Sequence, residues 1–171
     1  LGDMSDADRG GPSGWCGAYG GQTMRVLLSE SRTYRTDSIV LAIGEALSQM
    51  AERGGLPALS EEEQVGLVVL AFERETNHGG IHCFLTGLDR SHAPRVVDAL
   101  ARIEREDVAA RLRVLFTVLG ADESWSGDDF ARKLNQLTLE ETSALEEFDR
   151  RYHDHAGGFA DRLLLFIRKQ Q

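Results

Sequence analysis

From residue 39 onward, apolar side chains return every three to four positions, the spacing of helices with one buried face. Ile39, Ile43, Ala46, Leu47 and Met50 form the first such stripe, and Gly54-Gly55 ends it as glycine does just past a helix C-terminus. Ser60-Glu-Glu-Glu63 then has the spacing of a capping box, in which serine and glutamate satisfy each other's backbone N–H. The helix it opens carries Val65, Val68, Leu70 and Phe72 and is expected to stop at Asn77-His-Gly-Gly80. A short helix over Ile81 to Leu88 follows, then one from Ser91 to about Glu104, with Pro94 in its first turn. Asp107 to Leu119 is next, closed by Gly120. Ser126-Gly-Asp-Asp129 opens a helix through Leu137, and Thr138-Leu-Glu-Glu141 is a second capping box, leading into Leu145, Phe148 and Tyr152. Gly157-Gly158 breaks that helix, and Phe159 to Arg168 is the last. The one strand-like piece, Met24 to Ser29, is too short to found a sheet.

These elements predict an all-α fold: a single compact domain of seven to eight helices over residues 24–171. Residues 1–23 read differently. They hold seven of the 18 glycines and almost no aliphatic side chains, so they bury too little apolar surface to offset their ordering entropy. The expectation there is a flexible tail.

Composition narrows the function classes. The net charge is -9 and the pI near 5.0, which argues against direct nucleic-acid binding, since that needs Lys and Arg to neutralise phosphates. The longest apolar run, Val65 to Phe72, is far short of the roughly 20 residues of a bilayer span. Two cysteines and no secretory leader fit a cytoplasmic protein with reduced thiols. The acidic excess is spread along the chain and greatest in residues 121–171, with 11 acids to 7 bases. The candidate partner-binding carboxylates are Asp122, Glu123, Asp128, Asp129, Glu140, Glu141, Glu146, Glu147 and Asp149. Glu146-Arg150 and Glu147-Arg151 have the spacing of i,i+4 ion pairs.

The densest group of reactive side chains is Glu75, His78, His82 and Cys83, an alternative pointing to a small enzyme or metal-binding protein. Gly79-Gly80 argues against one continuous helix that would put both histidines on one face, and the plainer reading is a helix-terminating turn beside a small buried thiol. His153-Asp154-His155 sits where histidines favour a helix C-terminus. No phosphate loop, nucleophile elbow or zinc-spaced cysteine pair is present, and no residue is assigned to catalysis, a metal or a cofactor.

The segment Glu75-Thr-Asn-His-Gly-Gly-Ile-His-Cys-Phe-Leu85 resembles the family named after DNA-mimic protein nineteen. That family's hallmark is Glu-x-Asn-Asn-Gly-Gly-Phe, then one variable residue, Gln and an aromatic pair. Glu75, Asn77, Gly79, Gly80 and Phe84 match; His78, Ile81, Cys83 and Leu85 depart from it. Leu145 to Tyr152 and Asp161 to Arg168 look like the family's ending. The resemblance implies an all-helical fold and an acidic protein that occupies the DNA-binding surface of a basic partner such as a transcription factor. In physical terms the motif reads as a structural turn, with Asn77 and both glycines free to adopt left-handed backbone and Glu75 accepting from the turn's N–H groups.

Overall fold

A computed structural model describes residues 36–122, 124–154 and 158–169. The expected tail, the strand-like Met24 to Ser29, Glu123, His155 and Gly157 lie outside the described residues. Among the described residues there are seven α-helices and no strand. They are α1 (Thr36–Gly54), α2 (Glu61–Thr86), α3 (Val96–Arg102), α4 (Glu106–Leu119), α5 (Gly127–Leu134), α6 (Leu139–Asp154) and α7 (Phe159–Lys169). Two 3-10 segments, Leu56–Ala58 and Leu88–Arg95, flank α2.

Helix α2 is the axis of the domain and packs against α1, α3, α5, α6 and α7. Its sequence explains why. Val65, Gly66, Leu67, Val68, Val69, Ala71 and Phe72 are all buried, and a helix apolar on nearly every side must be surrounded. Helix α4 packs outside this centre on α3 and α6, and α1 pairs with α7.

The local signals that set the helix starts are realised. Ser60 accepts from Glu63 N–H at 3.2 Å while Glu63 accepts from Ser60 N–H at 2.8 Å. Ser126 with Asp129, and Thr138 with Glu141, form the same reciprocal pairs. Gly120 closes α4 in left-handed conformation at φ 74°.

Three boundaries move. The helix expected over Ile81 to Leu88 ends at Thr86, and the one expected from Ser91 begins only at Val96. Residues 88–95 coil more tightly as a 3-10 segment that contains Pro94, whose ring would clash with the carbonyl four residues back in an α-turn. Helix α5 ends at Leu134 instead of Leu137.

The core centres on a knot of rings. Phe72 meets Phe84 edge-on at 5.3 Å between centroids and Tyr152 edge-on at 5.6 Å, and Phe159 closes on Tyr152 at 5.8 Å. The buried Arg105 guanidinium lies 4.1 Å over the Phe159 ring and holds Asp107 through two hydrogen bonds of 2.9 and 3.0 Å. The Tyr152 hydroxyl is buried without a hydrogen-bond partner, and burial, with the nearby Glu73 carboxylate, pushes the phenol well above its usual range.

Glu104 is the one non-glycine residue with positive φ among the described residues, at 61°. It closes α3 in the position glycine usually takes, with Arg105 N–H bonding Leu100 C=O at 2.9 Å and Glu104 N–H bonding Ala101 C=O at 3.0 Å. Its carboxylate receives Arg162 and Lys169, each at 2.7 Å, and so ties α7 to the α3–α4 corner. Glu104→Gly and Glu104→Ala both remove these ion pairs, but only glycine relieves the left-handed backbone. The glycine variant should therefore melt above the alanine variant by about 2–4 °C. Equal melting temperatures would show that the corner carries no backbone strain.

Candidate functional site

Helix α2 breaks where the motif lies. Gly79 (φ -159°, ψ 29°) and Gly80 (φ 77°, ψ 179°) leave helical geometry, and the chain turns sharply before Ile81 resumes it. The turn is large. In a straight helix the Cα atoms of residues 72 and 84 would stand about 18 Å apart, yet their rings meet at 5.3 Å. The break lets one helix supply both faces of the aromatic knot.

Only Gly80 needs glycine for its dihedrals, since its φ and ψ fall in a region nearly closed to other residues. Gly79 has an extended φ, and Asn77 stays within the helix, so the expectation of left-handed backbone at all three positions is corrected. Space is tight at both glycines, and more so at Gly80, where the whole Asp149 carboxylate lies close, than at Gly79, where only the end of the Cys83 side chain does. A Cβ at Gly79 would overlap Cys83 Sγ, and one at Gly80 would overlap Asp149 Oδ2.

The break strands backbone donors, and Asp149 of α6 meets one of them. Ile81 N–H donates to Asp149 Oδ1 at 2.7 Å across a sequence separation of 68 residues. Glu75, expected in that role, instead accepts from Arg74 Nε at 3.2 Å. Asp149 is half-buried, and burial raises its carboxyl above the usual carboxylate range, while the Ile81 N–H, His153 and His82 pull it back. Asn77 is exposed and Phe84 fully buried, so the matching motif residues divide between a polar rim and the core.

The other candidate carboxylates are used unequally. Asp129 and Glu141 are the inner members of capping boxes; Asp129 also takes Arg132 at 2.9 Å and Glu141 takes Lys133 at 2.6 Å. Hydrogen bonds from Ser126 hold the Asp129 carboxyl below its ordinary value, and the Lys133 ammonium does the same for Glu141. Asp128 is paired with Arg90 at 2.8 Å. Glu147 takes both Arg150 and Arg151, so the expected Glu146–Arg150 pair is replaced. Asp122 accepts from Ser124 N–H at 2.8 Å and from its hydroxyl. Asp122, Glu140 and Glu146 are exposed and carry no ion pair within the described residues.

The histidine–cysteine cluster does not converge. His78 and His82 are exposed, His82 Nδ1 lies 3.4 Å from the Thr86 hydroxyl, and Cys83 packs on Gly79. Among the described residues no group of three or more His, Cys, Asp or Glu side chains is placed to hold a metal ion. No helix among them is long and apolar enough to cross a membrane.

Fold and site together define a small all-helical domain built around a broken central helix, with an acidic surface largely balanced by its own arginines. Residues 57–170 match the family model described as DMP19-like protein, and the chain belongs to that family. The match takes in the broken helix, α6 and α7, and leaves α1 outside. No curated protein and no solved structure matches the chain.

Two substitutions at Asp149 separate its hydrogen bond from its charge. Asp149→Ala removes the acceptor and should cost about 1 kcal/mol. Asp149→Asn keeps an oxygen for Ile81 N–H without a half-buried charge, and at neutral pH it should be at least as stable as wild type. Because folding raises this carboxyl above its free value of 3.8, the folded wild type gains relative stability as pH falls, and the advantage of the Asn variant over wild type should shrink in acid. Gly80→Val should cost more than either, about 2 kcal/mol or more, from strain and overlap with Asp149. Chemical denaturation measures all three. An Asn variant as unstable as the Ala variant would show that the charge itself holds the joint.

Proposed function

We propose that the domain is a non-enzymatic acidic binding protein of the cytoplasm that occupies the cationic, DNA-binding surface of a basic protein such as a transcription factor. Membership of the DMP19-like family carries this reading. Its physical support is a set of solvent-reaching carboxylates on α5, on α6 and just after α4. Asp122, Glu140 and Glu146 are already free of cations within the described residues. Asp128 and Glu147 are held only by surface ion pairs with Arg90, Arg150 and Arg151. Such exposed pairs contribute about 0–1 kcal/mol each, so a partner's arginines can displace the protein's own.

This is a different design from a continuous phosphate-like array. DNA presents a charge per about 1.7 Å of its axis, whereas here alternating Arg and Glu or Asp side chains interrupt the negative field, as over residues 102–113. A partner of moderate affinity and strong salt dependence fits that arrangement.

A tagged pull-down from the source cell's lysate at low salt, eluted with duplex DNA, tests the reading. DNA should release a DNA-binding protein whose affinity for the domain falls as salt rises. The Glu140→Gln/Glu146→Gln double variant should bind it more weakly and with a shallower salt dependence. Capture that DNA does not displace, or an affinity indifferent to salt, would overturn it.

A further inference from the structure

The 3-10 segment Leu88–Arg95 fastens α2 to α5. Asp89 pairs with Arg74 of α2, Arg90 Nε donates to Asp128 Oδ1 of α5 at 2.8 Å, and Arg95 Nη1 donates to Gln64 Oε1 of α2 at 2.7 Å. The start of α5 lies directly against its backbone, since a Cβ at Gly127 would overlap the Arg90 carbonyl. At its centre Ala93 is fully buried and His92 is 8% exposed.

His92 is the weak member of this clasp. Its Nδ1 is buried with no hydrogen-bond partner, so this nitrogen has no acceptor that would welcome a proton. The charges that act on it are Asp89 and Arg95 from its own segment and Arg74 from α2. The two guanidiniums oppose a positive imidazole, and the Asp89 carboxylate that favours one is already engaged by Arg74. From α5 the nearest acid of the clasp, Asp128, is taken by Arg90.

We propose that His92 is an acid-operated release: protonation of its buried imidazole undocks Leu88–Arg95 from α2 and α5 while the aromatic core stays closed. An imidazolium here carries an Nδ1–H with neither solvent contact nor an acceptor, so the folded segment opens to hydrate it. Burial lowers the folded imidazole below its free value. The sign follows: the neutral ring's contribution is complete above about pH 6.5 and drains away as pH falls from there through the folded value. Opening also parts Arg90 from Asp128 and Arg74 from Asp89, which leaves two carboxylates without their arginines. The release is independent of any partner and is read in the free protein.

Amide hydrogen exchange on the full chain, corrected for intrinsic rates, tests it at pH 7.5 and pH 5. Residues 88–95 should lose protection at the lower pH while residues 65–72 keep theirs, and in His92→Phe the loss at 88–95 should disappear. A nuclear magnetic resonance titration of wild type supplies a second readout that needs no variant: the His92 ring should titrate below about 6.5 and in step with the opening. Unchanged protection of 88–95 in acid, the same loss in His92→Phe, or a His92 ring that titrates at or above the free value would each overturn the proposal.

Discussion

The hydrogen bond from Ile81 N–H to Asp149 is the contact on which this architecture turns. Breaking a central helix costs backbone hydrogen bonds in a region where water cannot replace them all. The break is worthwhile because it folds Phe84 back onto Phe72 and so gives one helix two faces of the same aromatic core. It is stable because α6 delivers a side-chain oxygen, Asp149 Oδ1, to the Ile81 N–H that the break leaves without a helical partner. Gly80 is required on both counts: its dihedrals exclude a side chain, and Asp149 occupies the space a Cβ would need.

Seen this way, the motif is an architectural device. Its glycines form the joint and Phe84 enters the core, while Asn77, His78 and His82 form an exposed rim. In the proposed function the weight falls on the helical surface, above all on α6, which supplies Asp149 to the joint and carries the exposed Glu140 and Glu146. A single helix therefore links the integrity of the fold to the presentation of negative charge.

Sequence reading succeeded where the physics is local. The capping boxes at Ser60 and Thr138 and the helix start at Ser126 involve partners three residues apart, and the glycine at 120 acts on its own helix, so each is visible in a short window. The break at Gly79-Gly80 was legible for the same reason. Its acceptor was not: nothing near Ile81 points to a residue 68 positions away, and Glu75 was the nearest carboxylate in sequence. The left-handed Glu104 was hidden because its compensation comes from Arg162 and Lys169 on another helix. Counting acids likewise overstated the open negative surface, since Asp128 and Glu141 find cations that only the fold brings to them.

The central claim is that the joint between the two halves of α2 is a closed, structural element. Hydrogen exchange of the Ile81 amide in the wild-type protein near neutral pH tests it most directly. The account predicts protection comparable to that of the buried amides around Phe72, because opening this bond requires separating α2 from α6. An Ile81 amide that exchanges as fast as an exposed loop would contradict it, and the Gly79-Gly80 segment would then have to be regarded as an open joint.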